Sequence, residues 1–141
     1  MQKIRFFYHD RHPVFKSKTK LKQFVGSIFL MEKRKMENIS YIFCSDKHLL
    51  GINKEFLDHD YYTDVITFNL GKPTDAIEGE VYLSFDRIKD NAKKMGVSIN
   101  EELHRVIFHA ALHLCGYKDK NKADIKVMRL KEEAYLKKYF S

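Results

Sequence analysis

The chain reads as a single α+β domain, an approximately four-stranded mixed sheet packed with about five helices, and three observations predict it. Its 141 residues are 44% apolar, enough to bury one core of ordinary density and too few for a second domain. Short β-branched and aromatic runs alternate with longer stretches whose apolar residues recur at helical spacing. No repeat and no low-complexity linker interrupts the pattern, so one unit covers residues 1–141.

Lys3 to Tyr8 (KIRFFY) is the first strand, and Pro13 stops it. From Ser17 to Lys35, Leu21, Phe24, Val25, Ile28, Phe29 and Met31 recur at helical spacing. Lys18, Lys20, Lys22, Lys33, Arg34 and Lys35 lie on or near the exposed part. This predicts an amphipathic helix with a basic outer surface, equally readable as a solvated face or an RNA track. Ile39 to Cys44 (ISYIFC) is a second strand, after which Ser45 or Asp46 is placed to cap a short helix through Leu49, Leu50 and Asn53. Asp64 to Leu70 (DVITFNL) and Glu80 to Ser84 (EVYLS) are the third and fourth strands. The turn GKPTDAIEG between them is short enough for an antiparallel hairpin. Three helices complete the chain. Phe85 to Met95 ends at Gly96; Asn100 to Cys115 takes Asn100 as N-cap, Glu101 and Glu102 in its first turn and Gly116 as its stop; a Lys- and Glu-rich helix runs from Lys122 to Tyr139.

Cys44 and Cys115 sit inside apolar stretches, which suits reduced, buried thiols and a cytoplasmic protein better than a secreted disulfide framework. The start MQKIRFFYHDRHP lacks an uninterrupted apolar run, and no segment approaches the ~18 consecutive apolar residues of a membrane span. A soluble, unprocessed protein with no membrane partner is expected, with a monomer as the default state. The formal charge of +7 and pI near 9.3 concern partners rather than fold, and nucleic acid is the polyanion most available to a small basic protein.

In HRVIFHAALHLCGYKD, His109 and His113 stand four apart on a predicted helix, so both imidazoles leave one face about one turn apart. Gly116 breaks the helix, and Asp119, three residues beyond it, can return towards them. H-x-x-x-H-x-x-G-x-x-D is therefore a candidate ligand set for one zinc ion. Two imidazoles and a carboxylate are typical of catalytic zinc, with a fourth position open to water. The bland alternative is packing: Leu103, Val106, Ile107, Ala110, Ala111 and Leu114 form a core stripe beside the histidines. The spacing resembles the metzincin pattern, but Ala110 stands where a zinc protease carries its glutamate base, which removes a peptidase mechanism. His9, His12, His48, His59 and His104 lack partners at ligand spacing and read as surface or core residues. His59 is the exception to watch because of the motif around it.

HAALHLCGYKD resembles the signature H-G-x-L-H-L-x-G-Y-D-H of the YbeY family of metal-dependent endoribonucleases, coinciding at His109, Leu112, His113, Leu114, Gly116 and Tyr117. Ile52 to Phe68 (INKEFLDHDYYTDVITF) is similar to the family's L-N-x-x-Y-R-x-x-D-x-P-T-D-V-L-S-F at Asn53, Asp60, Thr63, Asp64, Val65 and Phe68. Gly79 to Ser84 (GEVYLS) resembles its G-D-I-x-I-S strand. The resemblance implies a zinc-centred cleft between the sheet and the histidine helix, with one zinc ion on His109, His113 and Asp119 as the catalytic centre. It further implies a single-stranded RNA substrate and work in 16S ribosomal RNA maturation and quality control of the small ribosomal subunit.

The departures bear on rate. Asp119 replaces the family's third histidine, Lys118 its preceding aspartate, Ala110 a glycine and Tyr62 a proline. Leu57 stands where the family carries an arginine suited to hold a phosphate, and losing such a donor costs orders of magnitude. Lys54, Arg87, Arg105 and Lys118 are the candidates to replace it. Thr63, Asp64, Arg105 and Lys118 are candidates for supporting a ligand from behind or contacting RNA. Asp64 or Glu80 can accept a proton if at the cleft, Glu80 reading more simply as an exposed structural carboxylate. Tyr61, Tyr62 and Tyr117 can stack on unpaired bases or simply pack. Two mechanisms stay open: attack by zinc-bound water, or attack by the neighbouring 2′-hydroxyl on a phosphate that the metal polarises. Two alternatives from other classes also stand. One is an RNA-binding ribosome-assembly factor with a structural zinc and little nuclease activity, supported by Leu57; the other is a hydrolase of smaller phosphate or amide substrates.

Overall fold

A computed structural model describes residues 3–72 and 75–141. Its elements in chain order are β1 (Lys3–Tyr8), α1 (Lys18–Met31), β2 (Met36–Cys44), α2 (Asp46–Leu57), β3 (Val65–Asn69), β4 (Ile77–Ser84), α3 (Phe85–Met95), α4 (Ile99–Leu114) and α5 (Lys122–Phe140). The strands form one mixed sheet in the order β1-β2-β4-β3. β1 runs parallel to β2, from Lys3 opposite Asn38 to Tyr8 opposite Phe43. β2 runs parallel to β4, with a register irregularity between Met36 and Asn38. β3 is antiparallel to β4, Val65 facing Leu83 and Asn69 facing Gly79, as the short connection predicts.

Alternation along the strands divides the sheet between two cores. Ile39, Tyr41 and Phe43 of β2 and Val81 and Leu83 of β4 are fully buried in the main core, with residues of α1, α4 and α5. The other face carries a smaller cluster of Cys44, Leu49, Ile52 and Ile66, backed by Phe68 and Tyr82, beneath α2. α4 contacts α1, α3, α5, β3 and β4. Ten of its sixteen residues are buried, and the buried Tyr41 hydroxyl donates to its Ile107 carbonyl at 3.0 Å. The helix that carries both motif histidines is thus the most enclosed one, and its orientation is set from all sides.

Each helix begins at a serine or asparagine whose side chain accepts the backbone N–H three residues on: Ser17, Ser45, Ser84, Ser98 and Asn121. Two caps settle questions of boundary. Ser45, not Asp46, caps α2. Ser98, not Asn100, caps α4: Ser98 Oγ accepts from Glu101 N at 3.0 Å, and Asn100 lies inside the first turn. The reason is the Ser98-x-x-Glu101 spacing of a capping box, which starts the helix two residues earlier.

α1 stops at Met31 rather than Lys35, because Glu32 caps it and Lys33 turns the chain with φ 59°. Lys33, Arg34 and Lys35 therefore lie in the turn into β2, which begins at Met36. β3 is a residue shorter at each end than Asp64–Leu70, while β4 starts at Ile77 and absorbs the end of the predicted turn. Pro73 and Thr74 of that turn lie outside the described residues. Both cysteines are buried and free. Among the described residues, no helix is long and apolar enough to cross a membrane.

Candidate metal centre and cleft

α4 delivers His109 and His113 to one face and then ends sharply. Gly116 takes φ 112°, a conformation that favours glycine, and Tyr117 N donates to the Leu112 carbonyl at 3.1 Å. Arg34 of the α1–β2 turn donates to the Cys115 carbonyl, placing a cation at the helix C-terminus where the dipole favours one. The reversal brings Asp119 back to the histidines: its Oδ2 lies 3.5 Å from His109 Nε2. These three residues form one wall of a cleft of about 380 Å³. The other walls come from Asn53 and Leu57 of α2, from His59, Tyr61, Thr63 and Asp64 in the loop that follows, and from the start of β3.

The hydrogen bonding of His109 decides what it can bind. Its Nδ1 stands 2.6 Å from Oε2 of Glu132, a carboxylate on α5, so Nδ1 carries the proton and Nε2 turns a lone pair to the cleft. In the neutral ring that lone pair faces another acceptor, Asp119 Oδ2, and a cation between the two, a metal ion or the second proton of an imidazolium, satisfies both. Two zinc ligands at tetrahedral geometry stand about 3.3 Å apart, close to the observed separation. The donor types and this spacing therefore fit a divalent ion of the zinc kind. As the side chains stand, no group of three His, Cys, Asp or Glu among the described residues is gathered closely enough to hold one. Asp119 is 48% exposed, whereas His109 is 17% exposed and tied to Glu132. Desolvation in the cleft pushes the His113 imidazole below its usual value, with Asp119 acting against this, so its neutral form is favoured.

The remaining candidates sort by where they point. Thr63 and Asp64 line the cleft. Burial raises Asp64 above the usual carboxylate range, against the pull of Arg105 and His109; its Oδ2 accepts from Asn91 at 3.3 Å. Arg105 does not line the cleft. Its guanidinium lies behind it, in a two-pronged pair with Glu102 at 2.7 Å and with Glu132 at 3.0 Å. Lys118 is exposed on the loop and absent from the described lining. Lys54 pairs with Asp60, and Arg87 with Asp46 and Asp90, and neither is among the residues that line the cleft. Glu80 is half-buried rather than exposed: Tyr82 donates to it at 3.4 Å on the α2 face, away from the cleft.

His59 is the histidine that joins the site, stacked on Tyr61 with Nδ1 2.9 Å from the Tyr61 hydroxyl. The others pack elsewhere: His9 on His48, His12 on Tyr8, and His104 buried beside Tyr139 and Phe140. Tyr61 and Tyr62 are exposed, whereas the Tyr117 hydroxyl donates to Glu32 at 2.6 Å. On α1, Lys18, Lys20 and Lys22 lie over the rings of Tyr8, Tyr139 and Phe6. Glu132 escaped the sequence reading altogether, lying in no motif and within a run of charges.

The family model described as Endoribonuclease YbeY matches residues 8–140. The chain belongs to the YbeY family. An endoribonuclease YbeY of Cytophaga hutchinsonii is 44% identical over 133 residues, covering 94% of this chain and 93% of that one. The Flavobacterium psychrophilum endoribonuclease YbeY is 47% identical, covering 80% of each chain. Among solved structures, the solution structure of TM1509 from Thermotoga maritima matches with a TM-score of 0.66 at 25% identity, over 99% of this chain and 89% of that one. YbeY membership and the α+β fold expected from the motifs thus stand together.

Proposed function

We propose that this chain is a metal-dependent endoribonuclease that cleaves single-stranded RNA during maturation of small-subunit ribosomal RNA, working in the cytoplasm. The name shared by its relatives supports the endoribonuclease reading. The observation that supports the metal is His109 Nε2 facing Asp119 Oδ2 at 3.5 Å while Glu132 occupies Nδ1, an arrangement that leaves Nε2 free to ligate when the ring is neutral. His109, His113 and Asp119 would hold the ion, Asp119 closing the set by a turn of its side chain. A divalent ion so held supplies Lewis acidity towards a phosphoryl oxygen and lowers the pKa of water.

The chain's own groups do the rest. Asp64, kept above the usual carboxylate range by burial, holds or takes a proton on the cleft wall. A Tyr61 hydroxyl that donates to His59 Nδ1 leaves the His59 Nε2–H as a donor for a phosphate oxygen. The exposed rings of Tyr61 and Tyr62 suit stacking on unpaired bases, which favours a single strand over a duplex.

Labelled single-stranded RNA incubated with metal-loaded protein tests the proposal. The His113→Ala variant should retain its fold and lose at least about 100-fold in cleavage; equal cleavage by both proteins overturns it. Elemental analysis of protein purified without added metal or histidine tag tests zinc separately, and near-zero stoichiometry, unchanged by Asp119→Ala, overturns it.

A second reading, an RNA-binding ribosome-assembly factor with little nuclease activity, draws on Leu57. The cleft wall there is hydrocarbon, and Lys54, Arg87 and Arg105 are engaged elsewhere. Salt-sensitive RNA binding without cleavage selects it.

A further inference from the structure

We infer that Glu132 is a positioning residue for the metal centre, fixing the tautomer and orientation of His109, so that α5 is a working part of the site. The inference rests on the metal reading for its consequence, but its geometry stands by itself.

Glu132 is 2% exposed. Burying a carboxylate costs several kcal/mol unless both oxygens are satisfied, and here they are: Oε1 accepts from Arg105 Nη1 at 3.0 Å, and Oε2 lies 2.6 Å from His109 Nδ1. Arg105 does not need Glu132 for its own neutralisation, because Glu102 already takes Nε and Nη2 at 2.7 Å each. Arg105 instead behaves as a fixed fork, one side tied to Glu102 on the same helix and the free prong aiming the Glu132 carboxylate. The remaining oxygen has one function left, to accept the Nδ1 proton of His109. That holds the Nε2 lone pair towards Asp119, as a carboxylate behind a metal-bound histidine does.

The test uses the full chain, metal-free, at mildly alkaline pH where free imidazole is neutral. Long-range proton–nitrogen NMR reads the His109 tautomer, and zinc titration against a chromophoric chelator reads affinity. In the parent protein His109 should be protonated on Nδ1. Glu132→Gln keeps an acceptor oxygen and should keep that tautomer; Glu132→Ala should lose it and weaken zinc binding about 10- to 100-fold, with Glu132→Gln in between. Thermal melts of both variants identify any loss of fold, and Glu132→Gln preserves the volume if Glu132→Ala fails. His109 protonated on Nε2 in the parent overturns the inference. So does a Glu132→Ala protein that melts lower but keeps tautomer and zinc affinity, since that marks a purely structural pair. If the parent binds no zinc, the metal reading fails, and the tautomer still decides whether Glu132 holds His109.

Discussion

Leu57 lies on the wall of the cleft as an apolar side chain where the family motif has arginine, and the lysine nearest in sequence, Lys54, pairs with Asp60. Placing a guanidinium there should add a donor for developing phosphate charge. Leu57→Arg is expected to raise kcat/KM on single-stranded RNA by roughly ten-fold or more and to steepen its salt dependence. Cleavage rates over a salt series check this, and an unchanged or lower rate means that His59 or another group already supplies the charge. At this scale the candidate ligands were legible because helical periodicity and a glycine stop are local facts: the spacing of His109, His113, Gly116 and Asp119 needs no tertiary knowledge. Glu132 was not legible. It sits among Lys131, Glu133 and other charges on α5, a composition that reads as solvated surface. Only the packing of α5 on α4 reveals which of those carboxylates faces inward.

The element that matters most is α4 with the turn that ends it. A Cβ on Gly116 would meet only Arg34 Nη1, at an ordinary 3.5 Å, so any cost of substitution comes from the φ of 112° rather than from crowding. Gly116→Ala should therefore lose about 1–2 kcal/mol and, by relaxing the turn, carry Asp119 away from His109 and weaken zinc binding. Denaturant midpoints and a zinc titration together check both halves; unchanged values would show that the loop position does not depend on this turn. Helix identities were readable from apolar spacing, while their ends were less so. Asn100 and Ser98 are both competent caps, and the choice depends on whether Ile99 joins the helix, which its neighbours in space decide. The run of Lys33, Arg34 and Lys35 looked like a continuing basic face because nothing in composition announces a left-handed residue at Lys33.

For the molecule as a whole, acid should act in two stages. Burial among aromatic rings pushes His104 below the usual histidine value, only partly offset by its hydrogen bond to the Asn100 carbonyl. The unfolded chain then binds a proton that the native state refuses, so stability is complete above about pH 6.5 and falls as pH drops below it towards the folded value. Glu32 follows lower down. Burial alone would raise its pKa, but hydrogen bonds from Tyr117, Tyr135 and Lys131 outweigh that and hold it below the usual range. Its contribution is present above the unfolded carboxylate value and is lost as pH falls through the lowered one. Urea midpoints across pH should show both limbs; His104→Gln should shrink the upper, which the lowered His113 shares, and Glu32→Gln the lower, and a variant that leaves its limb intact refutes that assignment. The single α+β domain was legible throughout, because alternating strand and helix signals survive without tertiary detail; the Glu32 cluster was not, since it joins α1, the turn after α4, and α5. The long-range tie between His109 and Glu132, with a sequence separation of 23, has a consequence in time. During synthesis at roughly 5–20 residues per second, the histidine helix emerges seconds before the carboxylate that aims it. A nascent chain interrupted in that interval carries every recognisable motif and an unaimed histidine, so competence arrives late, with the docking of α5.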